Sequence, residues 1–374
     1  MEYRNPFKPT AGKMPPVLVG RDKVINDFIE GMANGSGAPG RLMRVTGPRG
    51  SGKTVILSEL ASIAEKQGWL VVNVSGFTGL IAAIARKLTR APLVSAAKVT
   101  LGAPPLAVEL QSSPGDEMDF ESLLSHAAQA MTARGKGLLV TVDEVQDASL
   151  EEMRELSTAI QFLIRDDLDV AFVFAGVTTG VMDLLNGEAM TFLRRAKPEE
   201  LKAIPLDEVA VSLRAAIEHS GFEIGDEALR IATDATAGYA YLIQLVGYHV
   251  WRAAWLRGRG DDNPIVIDEQ DARTGVGEAE EEFRDAVLET AISSLPKTAI
   301  ELLMAMSDEG DVVAMSAIAK QVGRTTGYLS PYRRQLIARQ VIEQTAPGYV
   351  AFSIPFMREF LHARRSAIMA RYGE

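Results

Sequence analysis

Gly47-Pro-Arg-Gly-Ser-Gly-Lys-Thr54 fits the spacing G-x-x-x-x-G-K-[ST] in full. Glycines at those places let successive backbone N–H groups turn inward as an anion nest. The helix expected over Thr54–Gln67 adds the positive end of its dipole. In that setting Lys53 reaches the β- and γ-phosphates of a nucleotide, and the Thr54 hydroxyl ligates Mg²⁺. The expected nucleotide-binding run is Gly47, Pro48, Arg49, Gly50, Ser51, Gly52, Lys53, Thr54 and Val55, with ATP or ADP as the ligand. A second constellation follows. Leu138-Leu-Val-Thr-Val-Asp143-Glu144 is an apolar strand ending in two adjacent acids. Alone, such a pair is an ordinary solvated strand end. With a phosphate loop upstream, the strand delivers Asp143 to Mg²⁺, directly or through water, and Glu144 to the attacking water.

Other chemistries are excluded or unsupported. With no cysteine there is no thiolate metal site, catalytic Cys or disulfide framework. The four histidines, His126, His219, His249 and His362, lack metal-ligand spacing. Trp251 and Trp255 stand four apart on an expected helix and are read as packing.

The elements that must position these groups belong to a chain of 374 residues, long enough for two or three domains. A hydrophobic content of 47% with 24% charged residues excludes a wholly disordered chain or a disulfide-stapled mini-protein. The start shows no apolar signal-peptide core, and the strongest apolar runs, Gly137–Val142 and Val170–Val177, are too short to span a bilayer. The expected location is the cytoplasm.

Net charge is −10 but unevenly spread. Ala291–Glu374 holds 10 Lys+Arg and 7 Asp+Glu, a net of +3, which leaves −13 for the remainder. Val312–Ile342 contains no acid, while Lys320, Arg324, Arg333, Arg334 and Arg339 are basic. Such asymmetry marks a tail with its own partner.

An extended lead-in precedes a helix after Asp22, with Val24, Ile25, Phe28 and Ile29 on one face. Strands are expected at Leu42–Val45, Leu70–Val74, Leu138–Val142 and Val170–Phe174. Helices at Thr54–Gln67, Leu80–Leu88, Phe120–Ala133 and Leu150–Ile164 alternate with them. That alternation implies right-handed crossovers and a mostly parallel sheet. The Ala91–Asp116 stretch is interrupted by Pro and Gly, with extended pieces within Val99–Leu110. Three helices without an intervening strand follow at Asp207–His219, Asp226–Thr236 and Ala240–Leu256. The expected division is an ATPase core over 1–205, a run of helices over 206–257, a linker over 258–294 and a winged helix-turn-helix over 295–374. The fold class is α/β.

The chain resembles the AAA+/STAND superclass of P-loop ATPases, and within it the prokaryotic ATPases related to archaeal origin-recognition initiators. The resemblance rests on Val19-Gly-Arg-Asp22, the phosphate loop, the Asp143-Glu144 strand, Phe174-Ala-Gly-Val-Thr178 and Gly238-Tyr-Ala-Tyr-Leu-Ile-Gln244. It implies that Val19 and Arg21 border the adenine, that Thr178 is a polar sensor of the γ-phosphate and that the helices over 206–257 form a lid. It also implies that Arg194 or Arg195, with Arg195 favoured, is an arginine finger acting between subunits of a homo-oligomer. Two departures stand out. The lid motif reads Gly238-Tyr239-Ala240 where relatives often have Gly-x-Pro, and no Arg opens the third lid helix.

In the tail, Met315–Gly323 reads as helix then turn, and Arg324–Arg339 as a recognition helix with Ser330 as cap and Pro331 as its start. Tyr349–Pro355 is the expected wing. Arg324, Thr325, Thr326, Ser330, Arg333 and Arg334 are the candidates for phosphates or base edges of double-stranded DNA. Two functions follow: a slowly hydrolysing ATP switch coupled to DNA, or a STAND-like signalling ATPase whose winged helix docks a protein partner. A metabolic kinase fits less well, because no acceptor-substrate pocket is evident.

Overall fold

The computed structural model describes residues 3–10, 14–15, 18–77, 79–91, 119–186, 191–259 and 264–372. The extended pieces expected within Val99–Leu110 lie outside these. The chain forms two compact units. One gathers the chain up to Gly20, Pro48–Gly52 and the chain from Lys202 onward. The other holds Arg21–Gly47 and Lys53–Leu201.

The second unit runs α1 (Asp22–Asn34), β1 (Leu42–Thr46), α2 (Lys53–Lys66), β2 (Leu70–Ser75), α3 (Leu80–Arg90), α4 (Phe120–Thr132), β3 (Leu138–Asp143), α5 (Leu150–Arg165), β4 (Val170–Gly176), α6 (Thr178–Asn186), α7 (Thr191–Arg195) and β5 (Lys197–Glu200). Its five strands are all parallel, in the order β2-β3-β4-β1-β5. Every residue of β4 is buried, and so is every residue of β3 except Asp143. Continuous Val, Leu, Phe and Ala runs are what a sheet covered on both faces requires. The buried face of α1 is Val24, Phe28, Gly31 and Met32, not the Ile25 and Ile29 side. Gly31 turns the helix that way, because a side chain there would meet the Gly40 backbone.

The first unit runs α8 (Leu206–His219), β6 (Glu223–Ile224), α9 (Asp226–Asp234), α10 (Ala240–Arg257), β7 (Val266–Ile267) and α11 (Glu269–Phe283), then a π-turn at Arg284–Leu288 and α12 (Glu289–Ile292). It continues with α13 (Lys297–Glu309), β8 (Val312–Ala314), α14 (Met315–Val322), α15 (Thr326–Ala338), β9 (Ile342–Ala346), β10 (Tyr349–Phe352) and α16 (Met357–Tyr372). The three helices from α8 to α10 are not free of strands, since β6 pairs in parallel with β7. One buried cluster runs from Phe7 through Trp251 and Phe283 to Ile368. The lead-in is part of it: Phe7 is 1% exposed, and Asn5 Nδ2 donates to the Tyr248 carbonyl at 3.0 Å. Trp251 stacks on Phe222 at 4.6 Å and donates through Nε1 to Ser220 Oγ at 2.8 Å, in keeping with its expected packing role.

The tail takes the winged-helix order of helix, strand, two helices and a hairpin, with β8-β10-β9 antiparallel. Ser330 and Pro331 do not open the recognition helix as the sequence suggested. Thr325 caps it instead, its Oγ1 accepting from Tyr328 N at 3.2 Å, and Pro331 lies inside α15. A hydroxyl able to receive an unpaired N–H of the first turn outweighs the preference of proline for that turn, and the proline then forgoes one helical hydrogen bond. Among the described residues no helix is long and apolar enough to cross a membrane.

Helix α11 has no apolar stripe and no counterpart in the sequence reading. Its start is fixed by a capping box between Asp268 and Asp271. It seats Ala272, Gly275, Ala279 and Phe283 against the core. A side chain at Gly275 would run into the Val250 backbone, whereas Gly277 faces open space. Gly275→Ala is therefore expected to lower stability by about 1–3 kcal/mol, while Gly277→Ala raises it by about 0.5–1 kcal/mol. Urea denaturation of the two variants measures both signs in one helix.

Across the same helix pair, His249 Nδ1 lies 2.9 Å from Glu278 Oε2, and Arg252 Nη1 donates to that oxygen at 2.8 Å. Burial pushes the Glu278 carboxyl up, but these hydrogen bonds outweigh it and hold the group below the ordinary carboxylate range. A depressed folded pKa adds stability above the unfolded value, about 4.3, and that stability is lost as pH falls through the lower folded value. Glu278→Gln should melt below the parent near about pH 7, with the gap closing below about pH 4. Paired thermal melts across that range check it.

Candidate nucleotide site

A parallel sheet exposes its chemistry at the carboxyl ends of its strands. β4 lies between β1 and β3. The chain leaving β1 and the acids ending β3 therefore flank the exit of β4, where Thr178 opens α6.

The loop after β1 turns at Gly50 and Gly52, whose φ values of +77° and +94° lie where only glycine sits without strain. Ser51 N donates to the Pro48 carbonyl at 3.3 Å. Gly47, Ser51 and Lys53 are buried, Pro48, Gly52 and Val55 half-buried, and Arg49, Gly50 and Thr54 exposed. Lys53 is 6% exposed, and its Nζ donates to the Gly47 carbonyl at 3.0 Å, across the mouth of its own loop.

At the first turn of α2, Thr54 Oγ1 donates to Asp143 Oδ2 at 2.6 Å. The other carboxylate oxygen, Oδ1, accepts from Glu144 N at 2.9 Å. One hydroxyl and one carboxylate suit Mg²⁺, which takes few protein ligands and completes its shell with water and phosphate. Among the described residues no three carboxylates or imidazoles gather as an all-protein metal cage. A cavity of about 400 Å³ opens beside the pair, lined in part by Ser58, Asn73, Lys87 and Thr141.

Glu144 holds a left-handed backbone, φ 49° and ψ 46°. That conformation is uncommon for a residue with a side chain, and it turns the carboxylate out of the line of the strand. Gly76, past the end of β2, leaves room for the Glu144 carbonyl, and Gly76 N donates to the Asp143 carbonyl at 2.7 Å.

The remaining expected residues fall as follows. Val19 is half-buried against the core of the first unit, and Arg21 is buried at the start of α1. Thr178 is exposed one residue beyond Val177. Arg194 and Arg195 are both exposed, and Arg194 Nε donates to the Leu185 carbonyl at 2.7 Å. In the tail, Arg324, Thr325, Thr326 and Arg334 are exposed. Arg324 lies over the Tyr328 ring at 5.2 Å. Arg333 is half-buried, and its Nε is buried with no hydrogen-bond partner.

Two further residues were missed, one in each unit. Tyr239 donates through its hydroxyl to the Arg49 carbonyl, and burial pushes that hydroxyl up to about 12, so it stays a donor at neutral pH. Gly50 is required there, because a side chain would strike the Tyr239 hydroxyl. The signal was the aromatic standing in the departure Gly238-Tyr239-Ala240. Gln146 is the other; its amide reaches Glu144. Its signal was a polar side chain two places past the acid.

Comparison with known proteins adds the following. Residues 17–168 match the family described as AAA ATPase domain. Residues 285–361 match a family described only as a domain of unknown function, DUF8462. No curated protein sequence matches the chain. Among solved structures, a Walker-type ATPase of Pyrococcus abyssi matches with a TM-score of 0.64 at 14% identity, covering 92% of this chain and 96% of that one. The ORC2 protein of Aeropyrum pernix, solved as ADPNP–ADP complexes, matches with a TM-score of 0.59 at 14% identity, covering 97% and 98%. Cdc6p from Pyrobaculum aerophilum gives 0.51 at 14%, covering 97% of each chain. At such identities the likeness is one of fold. Residues 17–168 are thus similar to the AAA ATPase domain, and the fold resembles that of the Walker-type ATPase, ORC2 and Cdc6p structures.

Proposed function

We propose that the protein is an ATP-binding, slowly hydrolysing switch whose nucleotide state governs a C-terminal winged helix on duplex DNA. The observation that carries the ATP half is the hydroxyl–carboxylate pair of Thr54 and Asp143, 2.6 Å apart, at the foot of a complete phosphate loop. In this reading the loop cradles the phosphates, Lys53 neutralises the β- and γ-oxygens, and Thr54 with Asp143 hold Mg²⁺, which would offset charge on the transferring phosphoryl group. Glu144 takes a proton from the attacking water. Thr178 senses the γ-phosphate, and Val19 and Arg21 border the base. Arg195, exposed where Arg194 is committed to Leu185, is the better arginine finger for a neighbouring copy of the chain. The lid is assigned to 206–257 and the DNA module to 295–374.

Exposed Arg324, Thr325, Thr326 and Arg334 on the first turns and outer side of α15 support the DNA half. Phosphate contacts from so few cations give modest, salt-sensitive affinity.

Lys53→Ala should lose ATP binding. Glu144→Gln should bind ATP as the parent does while kcat falls by about 10²–10⁴-fold. Nucleotide titration and steady-state turnover separate the two, and full turnover by Glu144→Gln would remove it from the mechanism. For the tail, replacing Arg324 and Arg334 by Ala should weaken binding to random duplex and reduce the salt slope by about 2. Unchanged affinity and slope in that variant would point to the signalling alternative, with a protein as the docked partner.

A further inference from the structure

The side chain of Gln146 has no part in the reading above, yet both ends of its amide are committed. Nε2 donates to Glu144 Oε2 at 2.7 Å, and Oε1 accepts from Val177 N at 3.2 Å. The first bond fixes the carboxylate assigned to the attacking water. The second reaches the chain where it leaves β4, one residue before Thr178. Between these ends the side chain lies in a groove floored by glycine. A side chain at Gly176 would meet the Gln146 amide oxygen, and one at Gly180 would meet its Cβ and Cγ, the latter at 2.8 Å.

The backbone of Glu144 is already fixed, by its left-handed turn, by Asp143 Oδ1 on its N–H, and by Asp147 N donating to its carbonyl at 2.9 Å. What that leaves open is the aim of the carboxylate along its own rotatable bonds. Gln146 closes that freedom. It lies on the short helical turn Val145–Asp147, so its own backbone is set by the same turn that sets Glu144.

We propose that Gln146 is a positioning residue for ATP hydrolysis, aiming the Glu144 carboxylate and tying that aim to the Val177–Thr178 exit of β4. The inference rests on Glu144 as the group that activates water. The N–H donated by Nε2 fixes the direction of the Glu144 carboxylate, while Oε1 anchors the amide at Val177. The link through Val177 makes the aim depend on where the exit of β4 stands. A displacement at Thr178 is then felt at Glu144 through one side chain.

The test compares four versions of the whole chain: the parent, Gln146→Leu, Gln146→Glu and Glu144→Gln. Measurements are kcat and KM for Mg·ATP, ADP affinity and thermal midpoint. Gln146→Leu keeps the shape in the groove but donates nothing. It should lower kcat by about ten- to a hundredfold, with KM within about twofold of the parent. Gln146→Glu keeps the length of the side chain but sets an acceptor where Glu144 is met by a donor. It should lower kcat at least as far, with KM and ADP affinity held, a split that loss of packing alone would not produce. Should Gln146→Leu melt too low to assay, kcat and KM of Gln146→Glu decide. The proposal is overturned by an unchanged kcat in Gln146→Leu, or in Gln146→Glu, when Glu144→Gln is inactive. Turnover retained in Glu144→Gln would remove the base assignment itself and the proposal with it.

Discussion

The hydrogen bond from Thr54 to Asp143 joins two segments 89 residues apart, and the architecture of the second unit bears on its length. One end belongs to the first turn of a helix, the other to the half-buried last residue of a strand whose other residues are all buried. Asp143 cannot shift without moving β3, which is paired with β2 on one side and β4 on the other. A parallel sheet covered on both faces has no polar surface except at its ends. Chemistry in such a fold is therefore confined to strand exits. The same confinement places Glu144, Gly76 and Thr178 within a few residues of strand ends.

Close approach recurs at these exits. Gly76 admits the Glu144 carbonyl, and Gly176 and Gly180 admit Gln146. In the first unit Gly50 admits the Tyr239 hydroxyl. Each of these glycines trades a side chain for a close contact. The polar edge is treated differently. β5, the outer strand beside β1, carries Pro198 and a buried Glu199 whose carboxylate receives Lys23 at 2.6 Å. A proline and a paired charge on an edge strand discourage further pairing.

The sequence was most legible where one local rule decided the structure. The phosphate loop follows from glycine conformations, and β1 to β4 from apolar runs bounded by turns. Helices α8 to α10 and those of the tail followed from their periodicity. The rest depended on partners remote in sequence. β5, reading Lys-Pro-Glu-Glu, has no strand character until β1 lies beside it. α11 packs small residues into a backbone contact with α10, so its buried face leaves no apolar stripe. β6, β7 and β8 are two or three residues long and exist only as pairs. At the site, the types and spacing of Lys53, Thr54, Asp143 and Glu144 were legible. Gln146 was not, because it joins a side chain to a backbone N–H at the exit of another strand, and in the first unit Tyr239 was not, because its partner is a backbone carbonyl.

Asn5 and Phe7 fasten the lead-in to α10, with Asn5 bonded to a residue 243 positions later. The first unit is thus interrupted in sequence by the second, and this bears on synthesis. At about 5–20 residues per second, Phe7 is added to the chain roughly 12–50 s before Tyr248. During that interval the second unit has all its strands and can close its sheet. The early segment carries an apolar anchor with nothing yet to cover it. The nascent chain must keep that anchor from other partners until the helix it fits has emerged.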